Sequence, residues 1–390
     1  MAQNKLNNIP KGEQVTRRSF KGTEMTLPLL GFGTMRLPKN SQDDKDIDYP
    51  TTEKMFARAM EAGCNYFDTA YPYHGGRSET CVGDLLVSNY PRDSFYLTSK
   101  MPLRMLETAE DAERIFNEQL AKTRAGYFDF YLAHAVNRKN WLTAEKVHLY
   151  DFLAKKKEEG LIRHIGFSFH DTPEVLQTIA SAYPWDVTQI QLNYLDWETY
   201  RSREQYEILT KLGIPVLVME PLRGGALANL SPQAVDFLKQ ANPNASAASW
   251  GLRWVATLPN VLCTLSGMSH PVQLEDNIST FTPMNPLSVN EKETLAAALD
   301  IYRASLDVPC TGCNYCQPCP VGVEIPRIFA YWNQYQITHS KMLLEGRLST
   351  IPAASRADAC VGCKSCLSKC PQHIDIPANL ARIADALKTL

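Results

Sequence analysis

Hydrophobic and polar positions alternate along the first 300 residues in a repeated strand-then-helix pattern. Short apolar runs rich in β-branched and aromatic residues predict eight strands, at residues 29–32, 65–67, 95–98, 128–132, 162–167, 187–191, 214–218 and 261–265. Apolar residues three and four positions apart predict helices at residues 53–61, 109–122, 144–158, 173–180, 202–210, 245–256 and 291–305. Beyond them the composition changes to Cys, Pro and Gly, so we expect a domain boundary near residue 306.

Regular alternation of strands and helices indicates parallel strands joined by crossover helices. Eight such units predict an α/β fold, namely a (β/α)8 TIM barrel over residues 1–305. A doubly wound Rossmann sheet is the alternative, and it would place Gly-x-Gly-x-x-Gly after the first strand. Here Gly31 and Gly33 are followed by Thr34, Met35 and Arg36, so that fingerprint is absent.

The size and charge of the chain fit a barrel followed by a smaller second domain over residues 306–390. The whole chain has 390 residues, and its 40 Lys and Arg against 42 Asp and Glu give a formal net charge of -2. Such a balance gives no electrostatic attraction to nucleic acid or to an anionic membrane. No apolar run approaches the roughly 20 residues that a membrane helix needs. We therefore expect neither a nucleic acid nor a membrane as partner.

An arginine pair near the start resembles a twin-arginine export signal. Arg17 and Arg18 lie in the sequence Thr-Arg-Arg-Ser-Phe-Lys, and such signals serve cofactor-loaded proteins. A signal also needs an apolar stretch and a small-residue cleavage site. Residues 22–31 are too polar and too rich in Gly and Pro for that stretch. A structured hairpin and a cytoplasmic location are therefore expected.

Eleven cysteines are distributed very unevenly along the chain. Cys64, Cys81 and Cys263 are scattered, and we interpret them as small buried hydrophobic residues without a function. The other eight lie in two groups after residue 309, and they are the predicted metal ligands: Cys310, Cys313, Cys316, Cys319, Cys360, Cys363, Cys366 and Cys370.

The second group has the bacterial ferredoxin spacing, Cys-x2-Cys-x2-Cys-x3-Cys-Pro, and the first is one residue shorter before its last cysteine. Residues 319–326 and 370–377 match in register, and both end in an acidic residue, Ile and Pro. Three closely spaced thiolates can reach one cubane cluster. The proline turns the chain away, so that the fourth thiolate can reach the neighbouring cluster. These features predict a small, mainly α-helical, dicluster ferredoxin-like domain with two [4Fe–4S] clusters.

The repeat predicts that the two units share ligands. Cys310, Cys313, Cys316 and Cys370 would hold one cluster, and Cys360, Cys363, Cys366 and Cys319 the other. The short spacing before Cys319 leaves open which cluster it ligates. Four-cysteine zinc sites and a disulfide scaffold are the alternatives, but zinc ligands usually come as separated Cys-x2-Cys pairs.

Four polar residues follow predicted strands two, three and four. They are Asp68 and Tyr73, then Lys100, then His134. Each one alone has a structural explanation, as a cap, a packing residue, a solvated charge or a satisfied histidine. Because TIM-barrel catalysis occurs where strands end, the four together predict a carbonyl-reducing site. Tyr73 would donate the proton, with its pKa lowered by Lys100, which Asp68 orients, while His134 would position the carbonyl oxygen.

These motifs resemble the aldo/keto reductase family. The segments Phe-Asp-Thr-Ala-x2-Tyr (67–73), Thr-Ser-Lys (98–100) and Tyr-Leu-x-His (131–134) look like its catalytic tetrad, and 31–37 resembles its first strand. The cysteine-rich tail is similar to that of the iron–sulfur branch of this family. The resemblance implies NADPH bound in extended form across the barrel mouth. By position, the implied cofactor contacts are Gly33, Thr34, Met35, Ser168, Gln189, Met219, Pro221, Leu222, Arg223, Gly224, Ser266, Ser269, Gln273 and Asn277.

Several positions depart from the pattern of that family. Phe169 replaces an Asn, and Met219 replaces the aromatic residue that stacks on nicotinamide. Gly267 and Gln273 stand where basic residues often hold the 2′-phosphate, although Arg223 could contact the pyrophosphate. NADP(H) and NAD(H) therefore both stay open as cofactor.

The leading hypothesis is an oxidoreductase that transfers hydride between NAD(P)H and a small carbonyl or alcohol substrate. The clusters would exchange electrons with a redox partner protein or with the barrel, or would serve a structural, sensing or docking role. Hydride carries two electrons and a cluster carries one, so direct coupling needs a radical step or an intermediary such as flavin, and the sequence shows no flavin fingerprint. The alternative is a redox-sensing or electron-transfer protein whose barrel binds NADPH without carbonyl turnover.

Overall fold

The computed structural model describes residues 14–20, 22–41, 43–310, 312, 316–370 and 373–390, without the side chain of residue 338. The chain forms two compact units. One contains the residues up to Asn229 together with Ala245–Val289, and the other contains Leu230–Asn244 together with Asn290–Leu390. Residues 230–244 thus group with the C-terminal unit. The boundary expected near residue 306 stays a prediction.

An antiparallel hairpin precedes the barrel strands. Strand β1 (Arg17–Ser19) pairs with β2 (Thr26–Pro28). The Arg17 guanidinium donates to the Thr26 carbonyl at 2.6 Å and to Asn65 Oδ1 at 3.0 Å. The predicted hairpin is confirmed, and the arginine pair contributes to it. The cytoplasmic location stays a prediction.

Eight parallel strands form a closed barrel in the order β10-β3-β4-β5-β6-β7-β8-β9. The strands are β3 (Leu30–Gly33), β4 (Tyr66–Asp68), β5 (Tyr96–Pro102), β6 (Phe128–Val136), β7 (Ile162–Phe169), β8 (Val187–Gln191), β9 (Val216–Met219) and β10 (Val261–Ser266). The predicted α/β barrel is confirmed, and the Rossmann alternative is wrong. Seven of the predicted strands end too early, and five of them continue into segments that include a polar side chain.

The helices of the barrel unit are α1 (Tyr49–Glu61), α2 (Ser78–Val82), α3 (Ala109–Thr123), α4 (Arg138–Lys146), α5 (Leu149–Glu158), α6 (Pro173–Ala182), α7 (Asp196–Thr199), α8 (Ser202–Leu212), α10 (Ala247–Ala256) and α11 (Pro271–Thr280). The helix predicted over 144–158 is wrong, since the chain breaks at His148, whose φ is 51°. Helix α4 begins earlier because Asn137 caps it, accepting from the backbone N–H groups of Lys139 and Asn140.

The interior of the barrel is packed so closely around Gly31 that no larger side chain fits at this position without a shift of its neighbours. A Cβ added to Gly31 would lie 2.7 Å from Cys263 Sγ and 3.2 Å from the Tyr66 ring. Cys64, Cys81 and Cys263 are all fully buried. Their interpretation as small core residues is confirmed.

The C-terminal unit contains α9 (Pro232–Ala241), α12 (Val289–Ala304), α13 (Ile325–Thr338), α14 (Lys341–Leu348) and α15 (Ile376–Thr389). Its apolar core includes Phe329, Trp332 and Leu380. Within the described residues, no helix is long and apolar enough to span a membrane.

The described residues of the internal repeat share φ angles and hydrogen bonds between the two copies. Gly322 and His373 occupy equivalent positions, and both have left-handed φ angles, of 79° and 51°. The N–H of Gly322 donates to the Cys319 carbonyl at 3.0 Å, and that of His373 donates to the Cys370 carbonyl at 3.1 Å. The acidic-Ile-Pro segment then begins α13 in the first copy and α15 in the second. In both copies, therefore, the last cysteine of the group accepts a hydrogen bond from the residue three positions on, and a helix follows.

Candidate active site at the barrel mouth

Three neighbouring strands bring the four predicted catalytic residues together. Asp68 ends β4, Lys100 lies in β5, and His134 lies in β6 opposite Pro102. Tyr73 follows β4 in a short helical turn. The Lys100 ammonium donates to Asp68 Oδ1 at 2.5 Å, to the Thr69 carbonyl at 2.8 Å and to Tyr73 Oη at 3.3 Å. Lys100 is therefore the centre of the group.

Its neighbours keep Lys100 cationic, and burial keeps Tyr73 protonated. Burial lowers the pKa of Lys100, but Asp68 and Tyr73 together raise it further, so the net shift is upward. Burial is the largest influence on Tyr73 and raises its pKa, and this effect exceeds the lowering by Lys100. Lys100 does lower the pKa of Tyr73, as expected, but burial outweighs it and the net shift is upward. Glu220 adds to the upward shift.

His134 stands beside Tyr73 as a neutral ring. The two ring centroids are 5.9 Å apart, and the planes meet at 81°. Burial, followed by the nearby Lys100 charge, lowers the pKa of His134 to about 3. No residue of the described chain hydrogen-bonds its imidazole, so a ring nitrogen is available to a ligand.

A buried polar network behind β5 fixes the backbone at Lys100, and the sequence analysis missed it. The Gln119 amide donates to Glu79 Oε1 at 2.5 Å and to the Lys100 carbonyl at 3.1 Å. Ser99 Oγ donates to the same Glu79 oxygen at 2.6 Å, and Tyr131 Oη donates to Gln119 Oε1 at 2.5 Å. Burial is the main cause that raises the pKa of Glu79. The sequence feature that could have indicated this network is Glu79, an acidic residue on the apolar face of a short helix.

A cleft of about 290 Å³ opens where the loops after β3, β9 and β10 meet. Seven predicted cofactor residues line it: Pro221, Leu222, Gly224, Ser266, Ser269, Gln273 and Asn277. Helix α11 begins at Pro271, and the residues from Ser266 to Ser269 that precede it line the cleft. Ser269 N donates to Gln273 Oε1 at 2.9 Å, and the Asn277 amide donates to Ser266 Oγ at 2.9 Å.

Seven other predicted cofactor residues do not line this cleft: Gly33, Thr34, Met35, Ser168, Gln189, Met219 and Arg223. Protein contacts already use several of these polar side chains. Ser168 Oγ accepts from Ala135 N at 2.8 Å, and the Gln189 amide donates to Asp68 Oδ2 at 3.1 Å. Arg223 lies 3.6 Å from buried Asp196, which makes it an ion-pair partner here.

Arg36 is the basic side chain in the lining of the cleft, and the predicted site did not include it. Its guanidinium pairs with Glu220 at 3.3 Å. A Cβ at Gly224 would lie 3.1 Å from Arg36 Nη2, and one at Gly267 would lie 3.2 Å from Arg36 Cδ. The two glycines thus make room for the arginine. Glu220 has a φ of 54°, a costly conformation for a residue with a side chain.

The cysteines of the C-terminal unit lie around its apolar core. Five are half-buried against it: Cys310, Cys319, Cys360, Cys366 and Cys370. Cys316 is buried and Cys363 is exposed, while Cys313 lies outside the described residues. Burial is the main cause that raises the pKa of Cys366, and the charges of Cys360, Cys363 and Cys319 add to the upward shift. Cys319 from the first repeat is therefore near the cysteines of the second.

This set of donors fits iron–sulfur clusters. Thiolates are the usual protein ligands of a [4Fe–4S] cubane, and burial against an apolar core protects such a cluster. Among the described residues, no three His, Cys, Asp or Glu side chains are close enough to hold a single metal ion.

Two family models match the chain in series. Residues 29–299 match the aldo/keto reductase family, and residues 309–374 match a 4Fe-4S dicluster domain. An NADH-specific methylglyoxal reductase of Escherichia coli is 24% identical over 302 residues, which cover 66% of this chain and 90% of that protein. L-galactose dehydrogenase of Arabidopsis thaliana is also 24% identical, over 73% of this chain and 93% of its own.

Solved structures share the barrel. An aldo-keto reductase from Bacillus halodurans superposes with a TM-score of 0.60 at 20% identity, covering 73% of this chain and 96% of its own. One from Klebsiella pneumoniae, in complex with NADPH, gives a TM-score of 0.56 at 21% identity, covering 74% and 95%. At these identities the structures establish the fold.

Proposed function

Because this chain belongs to the aldo/keto reductase family, and is an oxidoreductase with a 4Fe-4S dicluster domain, we propose that it transfers hydride between NAD(P)H and a small carbonyl or alcohol substrate. The contact of Lys100 with both Asp68 and Tyr73 carries the proposal, because it joins a proton donor to a buried cation. The bound nicotinamide would supply the hydride. The protein's own residues would handle the proton and the charge.

Tyr73 is the proposed general acid. Its raised pKa keeps the proton on the phenol until a carbonyl oxygen gains negative charge. As the O–H bond breaks, the buried Lys100 ammonium at 3.3 Å stabilises the phenolate that forms. Asp68 balances the ammonium in the resting site and orients it. Alcohol oxidation would move the same proton in reverse.

His134 is the proposed positioning donor for the carbonyl oxygen. A neutral imidazole donates one hydrogen bond without competing with Tyr73 for the role of acid. Because its pKa is about 3, it stays neutral throughout the neutral range. The absence of a protein partner in the described part of the chain leaves that bond for the substrate.

The cleft beside the tetrad is the proposed cofactor site. Arg36 would meet a phosphate if it left Glu220, and Ser269, which precedes α11, lies in the same lining. Ser266, Gln273 and Asn277 are the proposed polar contacts. The NADPH-bound relative from Klebsiella pneumoniae and the NADH-specific one from Escherichia coli support a nicotinamide cofactor of either kind.

The C-terminal unit is proposed to hold two clusters that share ligands between the repeats. The effect of Cys319 on the pKa of Cys366 supports placing Cys319 with Cys360, Cys363 and Cys366. The clusters would supply one-electron transfer to a redox partner protein, or would stabilise the unit.

Replacement of Tyr73 by Phe tests the proposed function. In anaerobically purified protein, Y73F should lower carbonyl turnover by about 10²- to 10⁴-fold, since that is the usual contribution of a general acid. Binding of NADPH, followed by fluorescence, should persist. The control is Tyr71→Phe on the same loop, whose hydroxyl bonds Glu118 at 2.7 Å. If the wild type binds NADPH but turns over no carbonyl compound or alcohol, the sensing or electron-transfer function takes its place.

A further inference from the structure

Three residues with nitrogen-bearing side chains lie at the ends of the neighbouring strands β5, β6 and β7, at the barrel mouth. Arg104 lies two residues after Pro102, which ends β5 and is paired with His134 of β6. His170 directly follows β7, and its N–H donates to the Val136 carbonyl of β6 at 2.9 Å. Adjacent parallel strands therefore bring Arg104, His134 and His170 to one side of the tetrad.

The side chains of this cluster interact with one another through their charges. His134 is under the influence of Lys100, His170 and Arg104, after burial. Loss of hydration, followed by the Arg104 charge, lowers the pKa of His170. Every charge that acts on these two histidines comes from a base, and none comes from a carboxylate.

Arg104 has no counter-ion in the described part of the chain. Other arginines near strand ends are paired: Arg36 lies 3.3 Å from Glu220, and Arg92 lies 2.7 Å from Asp129. The side chain of Arg104 is exposed at the mouth, and the next residue, Met105, is 45% exposed. An exposed cation that no carboxylate of the described chain pairs, close to the proposed substrate-orienting histidine, is able to bind the negative charge of a ligand.

We propose that Arg104, assisted by His170, binds a carboxylate of the substrate, so that the preferred substrates are oxo acids rather than neutral aldehydes or ketones. This inference rests on the proposed function, since His134 and Tyr73 would hold the carbonyl oxygen of the same molecule. Arginine suits the role because its planar guanidinium forms two parallel hydrogen bonds with a carboxylate. The carbonyl end would lie toward Lys100, and the acid end would lie toward the loop after β5.

Matched substrate pairs test the proposal. The pairs are 4-oxobutanoate with butanal, and 4-carboxybenzaldehyde with 4-methylbenzaldehyde, each assayed with NADPH and with NADH. The wild type should show the higher kcat/KM for the acid in each pair. Arg104→Gln should lower the acid-to-neutral ratio of kcat/KM by about 10- to 100-fold, mainly through KM, because it removes a charged hydrogen bond. Arg104→Lys should recover part of the ratio, and His170→Asn should lower it by a smaller factor.

The neighbouring exposed residue provides the control. Met105→Ala changes the same loop without changing its charge, so the acid-to-neutral ratio should equal that of the wild type. A wild type that turns over both members of each pair equally would overturn the proposal. So would an Arg104→Gln variant with an unchanged ratio.

A binding measurement separates this proposal from the proposed function. Benzoate binding, followed by intrinsic fluorescence, requires no turnover, and it should weaken by about 10-fold or more in Arg104→Gln. If no carbonyl compound is reduced but benzoate binds through Arg104, the anion site stands and the reductase activity fails. If the wild type reduces aldehydes but does not bind benzoate, the reductase activity stands and the anion site is wrong.

Discussion

The barrel mouth and the cysteine unit assemble their polar groups in opposite ways. At the mouth, Asp68, Lys100 and His134 come from three strands, and each strand is followed by a separate helix before the next begins. In the cysteine unit, the spacing within one short loop already places three thiols together. The first site depends on barrel closure, whereas the second depends on local sequence.

The same contrast extends to burial. Lys100 and Asp68 are 0% and 3% exposed, so each needs the other as a partner. Cys363 is exposed, and five other cysteines are half-buried. A change at the mouth should therefore affect stability and chemistry together, while a change in the cysteine unit should affect its metal content first.

Loss of a single cluster ligand is the largest expected effect. Cys319→Ala and Cys370→Ala alter equivalent positions of the repeat, and each should remove one cluster, roughly half of the iron and sulfide. Cross-ligation predicts that Cys319→Ala abolishes the same electron paramagnetic resonance signal as Cys366→Ala, and Cys370→Ala the same signal as Cys310→Ala.

Cys81→Ala, in the barrel core, is the matched control and should leave the iron content unchanged. If Cys319→Ala and Cys310→Ala abolish one and the same signal instead, each repeat holds its own cluster. In that case the shared-ligand assignment is wrong.

Lys100→Met should have the next largest effect, because it leaves the Asp68 carboxylate buried without its ion-pair partner. Breaking a buried pair costs about 3–5 kcal/mol in the free energy of unfolding, and carbonyl turnover should fall with it. Urea unfolding of the barrel and steady-state kinetics measure the two effects. Adding Asp68→Asn should restore part of the stability and none of the turnover.

The exposed pair Lys388–Asp385, in the cysteine unit, sharpens this comparison. Lys388→Met should leave unfolding and turnover unchanged, since solvent screens such pairs. If Lys100→Met and Lys388→Met lowered the free energy of unfolding equally, burial would not be what distinguishes the two regions.

A smaller effect is expected from the titration of His134. Its pKa is about 3 in the folded chain and about 6.5 when unfolded, so the unfolded state binds the proton first as pH falls. The resulting stability is present above pH 6.5 and is lost progressively down to pH 3. Between pH 7 and pH 5 the loss should be about 1–2 kcal/mol.

His134→Gln should remove that part of the pH dependence, measured by urea unfolding at the two pH values. His148→Gln, at an exposed histidine, is the control. Identical pH dependence in the wild type and in His134→Gln would show that the ring is solvated in the folded protein.

The smallest expected effect is a change in cofactor preference when Gln273 is replaced. Gln273→Arg adds a cation where Ser269 N now bonds the Gln273 side chain. A new charged hydrogen bond to the 2′-phosphate should raise the preference for NADPH over NADH by about 10-fold. Fluorescence titration with each cofactor measures the ratio, and Val272→Arg, next to it on α11, is the control.

Much of this protein could be predicted because its signals are local or periodic. Strand-helix alternation predicted the barrel, and the polar residues at strand ends predicted the tetrad that Lys100 joins. The single helix predicted over 144–158 was wrong, because the spacing of apolar residues in this segment does not indicate the break at His148. The cofactor contact of Arg223 stays a prediction, and the sequence did not indicate that a buried acid from another loop, Asp196, lies beside it.

The sequence by itself determined the element order, the repeated Cys-Pro turns and the set of chemically competent residues, since these depend on neighbours along the chain. Only the tertiary structure decided which charges meet. It placed Arg36 against Glu220, supported Lys100 from behind with Glu79 and Gln119, and left Arg104 without an acid in the described chain. Pairing of charges depends on distances across the closed barrel, and those distances exist only after the strands have come together.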